Sequence, residues 1–317
     1  MIVAHGIGGC ITFEAIRWLS ANGKVPIVWL NWTGRPMSVT LPLENEVYGQ
    51  LKLNQFRAHL DPQERFRIAT EFIRSKVKSS YALLDTLELD YEPYHHEAPK
   101  DLNSLLIHEA QSASVYYEAL KPVFEKVAPK FNYRGRVRNS TNRLMNAKTE
   151  IGAMLNYAFG VLAGICQAAI ASVGLESSVG FVHNTKVATT PLTYDYQELA
   201  RWIADLAVIR CLEIDQLNVH DFHRLDNYSV YLTMDTAKKL VRCMDDFFST
   251  KVVYKHGNSL DARGVQRWAY HSILRDKTQN LANYLNRLEK TGGHKRDAVL
   301  DLSVPVYRPL ILKQNLP

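Results

Sequence analysis

Paired or closely spaced cysteines are missing from this sequence: Cys10, Cys166, Cys211 and Cys243 are its only four, with no Cys-x-x-Cys among them. That spacing indicates neither a structural zinc site nor a disulfide framework, and it fits a reducing, cytoplasmic setting. No basic leader precedes the first apolar run, "MIVAHGIGGCITFEAIRWL", so no secretory signal is expected. The glycines of "HGIGGC" have neither the Lys-Ser/Thr ending of a phosphate loop nor the spacing of a dinucleotide fingerprint. Low-complexity tracts and internal repeats are absent, which leaves an ordinary globular chain. Only "AMLNYAFGVLAGICQAAIASVG", residues 153–174, is long enough to cross a bilayer. Asn156, Tyr157, Gln167 and Ser172 interrupt it, and much of its apolarity is Ala and Gly, so a buried, closely packed helix is expected and no membrane.

With 317 residues, 46% of them hydrophobic, the chain can bury a sizeable core. Its 38 Lys and Arg exceed its 32 Asp and Glu, giving a formal charge of +6, which favours a polyanionic partner, nucleic acid first. The first fifty residues read as strand ("MIVAHG"), helix ("ITFEAIRWLSANG"), strand ("VPIVWLNW") and strand ("RPMSVTLPL"). From Leu53 the period becomes helical, with Asp61-Pro62 as an N-cap and first-turn pair. Further helices are expected from near Asp101 and over 149–172, 196–212, 236–248 and 262–288. The fold class is therefore α+β, with a β-rich segment over 1–52, a mostly α-helical domain over 53–290 and an extended tail over 291–317.

Two acidic features stand out. In "DLNSLLIHEAQSASVYYEAL", Glu109 falls on the apolar stripe formed by Leu102, Leu105, Leu106, Ala113, Tyr116 and Leu120. A carboxylate there requires a cation, a proton or a metal, because burying a lone anion costs several kcal/mol; an arginine salt bridge is the simplest answer. In "GFVHNTKVATTPLTYDYQELAR", His183 is followed by Asp195 and Glu198, which share one helical face and would also serve as a capping pair. Taken together, carboxylates and an imidazole make a mixed oxygen and nitrogen donor set suited to Mg²⁺ or Mn²⁺. "YHHE" (94–97) and "HDFH" (220–223) read instead as solvated loops.

These segments resemble the CRISPR adaptation integrases, the Cas-one family, over most of the chain. "NQFRAHLDPQERFRIATEFIRSKVKSSYALL" is similar to the family's first long helices, "LLIHEAQSASVYYEAL" to the segment holding its metal-binding glutamate, and "AMLNYAFGVL" to its core helix. "VGLESSVGFVH" resembles the run before its metal-binding histidine, and "LTYDYQELARWIAD" the acidic segment supplying its last ligand. Carried over by position, the resemblance implies Glu109, His183 and Glu198 as metal ligands, with Asp195 an accessory catalytic acid. It further implies an endonuclease and integrase that inserts spacers into a CRISPR array by transesterification with Mg²⁺ or Mn²⁺. Double-stranded and branched DNA, a small Cas-two protein and a second copy of the chain are the implied partners. Basic residues of the first helices, Arg67, Arg74 and Lys76, together with Arg134, Arg136, Arg138 and Arg201, are expected to hold DNA phosphates.

Gly152 stands where the family usually has Asn, and the N-terminal strands resemble only the last part of its β-rich domain. A chain of this kind is expected to fold its helical part but to assemble poorly into a symmetric pair. A mobile-element integrase of the same superfamily and a non-catalytic DNA-binding scaffold are the alternative readings.

Overall fold

The fold was described from a computed structural model, which describes residues 2–5, 8–23, 25–31, 34, 36–40, 48–95, 97–131, 133, 135, 147–183, 189–254, 266–290 and 300–306. At the N-terminal end, β1 (Ile2–His5) leads into α1 (Phe13–Trp18), whose first turn is capped by Thr12 Oγ1 accepting from the Ala15 amide. The chain returns as β2 (Ile27–Leu30), parallel to β1, and β3 (Pro36–Thr40) pairs antiparallel to β2. Ile27, Val28 and Leu30 are fully buried. The sheet lies on α5 (Glu150–Ser172), the apolar helix whose composition imitates a membrane span. Its glycines explain the imitation: a Cβ on Gly160 would lie 1.9 Å from the Gly34 carbonyl oxygen, and one on Gly164 would lie 2.4 Å from a Val28 methyl. Side chains were given up at these points so that the sheet could approach the helix backbone. Of the most apolar window of α5, 78% is buried inside the protein.

Helices surround α5. Asp61 ends α2 (Gly49–Leu60) and caps α3 (Pro62–Thr86) through Oδ1, with Pro62 in the first turn where its missing N–H costs nothing. α4 (Leu102–Val127) opens with a reciprocal cap between Asp101 and Ser104 and packs on α3. α6 (Pro191–Leu199) and α7 (Arg201–Asp215) follow, then the hairpin of β4 (Phe222–Arg224) and β5 (Val230–Leu232). α8 (Met234–Ser249), capped by Thr233, packs against α7; β6 (Lys251–Val253) and β7 (Arg267–Ala269) form a second hairpin before α9 (Tyr270–Lys290).

The sequence pattern predicts one helix over 196–212, but two are found. Pro191 starts the first earlier, and the chain breaks at Ala200 (φ −122°, ψ 14°), whose N–H bonds the Gln197 carbonyl. The helix expected over 262–288 begins at Tyr270, because Arg267–Ala269 pair as a strand. In the tail, Leu300, Leu302 and Val304 are buried at alternate positions, and the Leu302 amide donates to Glu71 Oε1 at 3.2 Å. This piece of the tail is docked on the helices.

Candidate active site

The site begins with a loop strapped down from both sides. Asp195, in the middle of α6, is wholly buried. Its Oδ2 accepts from the Phe181 and Val182 amides at 2.6 and 3.1 Å, and its Oδ1 accepts from the His183 amide at 2.9 Å. The same Oδ1 meets His183 Nδ1 at 2.8 Å. On the other side, His59 Nδ1 reaches the Gly180 carbonyl at 2.6 Å and Arg65 Nε donates to the Phe181 carbonyl at 3.0 Å. The approach requires glycine at 180, where a Cβ would fall 2.8 Å from Pro191 and 2.9 Å from Asp195 Oδ2. His183 is consequently fixed in ring orientation and tautomer: Nδ1–H donates to the carboxylate, and Nε2 is left with its lone pair. Burial alone would lower the His183 pKa, but the Asp195 hydrogen bond and charge outweigh it and hold it above its ordinary 6.5.

Beside this histidine lies a cluster of four charges drawn from four helices. Lys76 of α3 hydrogen-bonds Glu109 of α4, and its Nζ lies 2.6 Å from Glu198 Oε2 of α6. The other Glu198 oxygen accepts from Arg201 Nη1 of α7 at 2.5 Å, a contact opened by the break at Ala200. Arg201 also lies over the Phe159 ring, 4.5 Å from its centroid. Lys76 and Glu198 are 9% and 8% exposed, so this is a largely desolvated cluster. Burial would raise the Glu198 pKa, yet the Arg201 and Lys76 cations bring it down to about 2. Arg201 is raised in turn: desolvation works against its charge, and Glu198, Tyr117 and Asp205 overcome it. Behind it, Tyr116 donates to Asp205 Oδ2 at 2.8 Å. A narrow cavity is lined by Lys76, Glu109, Ser112, Tyr116, Tyr117 and Arg201. Around it, Ser112 Oγ, Glu198 Oε2 and Arg201 Nε are buried without an aligned hydrogen bond among the described residues.

The expected ligands thus occupy one neighbourhood in two tiers. Glu109 and Glu198 meet through the Lys76 ammonium, while His183 feels the charges of Glu198 and Lys76 and is held by Asp195. Among the described residues, the group whose ligand atoms all lie within 4.8 Å of one another is a different one, Cys211, Asp215 and Cys243. The partner of Glu109 is a lysine and not the arginine that the apolar stripe suggests. Two residues expected at DNA phosphates, Lys76 and Arg201, are both turned into the carboxylate cluster in this structure. The signal for Lys76 was in the sequence, since it lies on the buried row of Phe72, Ser79 and Leu83, as Glu109 does on its own helix. Asp195, expected as an acid beside the ligands, stands behind His183 with its oxygens taken up. His59 and Arg65 are further positioning residues that sequence reasoning missed. Arg67 and Arg74 are exposed at 53% and 65%, each bridged to a glutamate one turn earlier, Glu64 and Glu71. Arg134, Arg136 and Arg138 lie outside the described residues. His220 and His223 are exposed, but "HDFH" is not the solvated loop expected: Val219–Asp221 is a 3₁₀ turn and His223 lies in β4 beside the buried Phe222.

Residues 1–246 match the family model described as "CRISPR associated protein Cas1". The chain is 31% identical over 259 residues to a CRISPR-associated endonuclease Cas1 of Rhodospirillum rubrum, covering 74% of this chain and 72% of that protein. Among solved structures, a casposase bound to integration product aligns with a TM-score of 0.79 at 30% identity, covering 97% of this chain and 82% of the other. A CAS1 protein from Thermotoga maritima shares the fold with a TM-score of 0.70 at 16% identity, over 87% of this chain and 83% of that one.

Proposed function

This chain belongs to the Cas1 family of CRISPR-associated proteins, and from that membership we propose that it is a metal-dependent DNA endonuclease and integrase joining DNA ends by transesterification. The observation that carries the reading is the buried cation between Glu109 and Glu198, beside a histidine whose Nδ1 is held by Asp195. The Lys76 ammonium marks a place built for positive charge. Glu198 Oε2 makes no aligned hydrogen bond there, although the ammonium is 2.6 Å away. Two carboxylates and an imidazole fit Mg²⁺ or Mn²⁺ as donors. Glu109, His183 and Glu198 would hold the ion, which when bound polarises a DNA phosphate and stabilises the departing oxygen.

The remaining work belongs to the chain itself. Asp195 keeps the His183 proton on Nδ1, so that Nε2 can act as a donor atom at neutral pH. Arg201 keeps Glu198 ionised in a desolvated place. Lys76 offers a compensating charge that must leave Glu109 and Glu198 when another cation arrives. On the surface, Arg67 and Arg74 keep exposed side chains beside largely buried glutamates, Arg67 also donating to Tyr284 Oη at 3.4 Å and Arg74 bonding both oxygens of Glu71, and they are the proposed contacts for DNA phosphates. A small Cas-two protein and a second copy of the chain are the proposed partners.

A second reading, integration for a mobile element, is favoured by the casposase alignment over 97% of the chain. Strand transfer with and without Mn²⁺ tests the shared chemistry: it should occur with the ion, and be lost in His183→Ala and Glu198→Gln while DNA binding persists. Supplying leader-repeat DNA or terminal inverted repeats as target and donor separates the two readings. Mn²⁺-independent turnover, or turnover retained in His183→Ala, would overturn the assignment.

A further inference from the structure

The sequence spacing of the cysteines argues against any cysteine site, yet the packing of α7 on α8 brings two of them together. Cys211 and Asp215 stand one turn apart on α7, and Cys243 faces them from α8. Their ligand atoms all lie within 4.8 Å of one another. The Cys211 Sγ to Asp215 Oδ2 distance is 3.6 Å. In a tetrahedral zinc site, with Zn–S near 2.3 Å and Zn–O near 2.0 Å, the sulfur-to-oxygen edge is about 3.5 Å. Cys211 and Cys243 are buried, and Asp215 is half-buried.

We propose that Cys211, Cys243 and Asp215 form a structural Zn²⁺ site that clamps the C-terminal end of α7 to α8. A thiolate pair selects a soft or borderline ion, and the carboxylate favours Zn²⁺ over Cu⁺, which prefers sulfur alone. The half-buried Asp215 gives the ion a way in and leaves the fourth position to water. Zn²⁺ binding would take both sulfurs as thiolates and release their protons. The site is separate from the carboxylate cluster: Cys211 lies ten residues along α7 from Arg201, about 15 Å at 1.5 Å per residue. Fixing one end of α7 steadies the helix that begins with Arg201.

Co²⁺ titration of the reduced full chain provides the test, because only sulfur ligands produce the near-ultraviolet thiolate-to-cobalt charge-transfer band. The expected result is that band, together with intense tetrahedral visible bands, saturating at one equivalent and displaced by Zn²⁺. It should persist in His183→Ala and disappear in Cys243→Ser. A second measurement needs no variant: with free Zn²⁺ at about 100 times its dissociation constant, alkylation of Cys211 and Cys243 should slow by about 100-fold, while that of exposed Cys10 is unchanged. Absence of the charge-transfer band with all thiols reduced, or alkylation rates indifferent to Zn²⁺, overturns the proposal.

Discussion

Replacing Lys76 with methionine removes the cation shared by two carboxylates and leaves a side chain of similar length. At 2.6 Å and an effective dielectric near 20, the attraction between Lys76 and Glu198 alone is about 6 kcal/mol before desolvation is subtracted. Net losses on breaking one partner from a buried pair are about 3–5 kcal/mol. Glu109 and Glu198 would then face each other as like charges, and protonation of one limits the cost. With an unfolding entropy of about 2.1 cal/mol/K per residue, 317 residues give about 0.7 kcal/mol/K, so the expected fall in Tm is about 4–7 °C. The assay is thermal unfolding near neutral pH in EDTA, repeated with Mn²⁺. In EDTA the variant should melt earlier than the parent protein. Mn²⁺ should raise the Tm of the variant more than that of the parent, because no ammonium competes for the carboxylates. A Lys76→Met protein as stable as its parent in EDTA, with Mn²⁺ shifting both alike, would refute the idea that this lysine stands in for a bound cation.

In the metal-free protein, NMR should find His183 titrating above 6.5, and Asp195→Asn should bring it down by removing the group that outweighs burial. Because the folded pKa is raised, the stability this pair contributes is fully present below pH 6.5 and is lost as pH rises through the folded value; ion-dependent turnover runs the other way, falling as His183 protonates. A titration at or below 6.5 in the parent protein would contradict the geometry. Gly180→Ala should cost about 1–3 kcal/mol of stability through the contacts with Pro191 and Asp195, and should reduce strand transfer about 100-fold by displacing His183; wild-type turnover would show that the loop tolerates the shift. Charge reversal at Arg67 and Arg74 should weaken DNA binding and lower the salt slope by about 0.9 for each phosphate no longer neutralised; an unchanged slope removes α3 from the DNA surface.

Much of the architecture follows from local rules. The Asp61-Pro62 start of α3, the Asp101 and Thr149 caps, and the strand-helix-strand-strand opening are each written within a few neighbouring residues, where capping and periodicity act. Glu109 was legible for the same reason, as an acid on an apolar stripe. The segments around Glu109, His183 and Glu198, with those of the first long helices and the core helix, were likewise enough to place the chain among its relatives.

Roles were decided elsewhere. Nothing near Asp195 in the sequence states that its two oxygens are occupied by three backbone amides and an imidazole, because those donors arrive from a loop laid across α6 only after Gly180 lets it approach. Lys76 and Arg201 read as surface cations until helices α3, α4, α6 and α7 meet and exclude water, at which point neutralising Glu109 and Glu198 outweighs reaching outward. Cys211 and Cys243 are 32 positions apart, beyond any spacing rule, and are neighbours only because the chain turns back through the β4–β5 hairpin to pack α8 on α7. The sequence by itself determined most of the helices, their caps and the acid out of place at Glu109. The pairing of side chains depends on desolvation and on contacts between distant segments, which exist only once the chain has closed on itself.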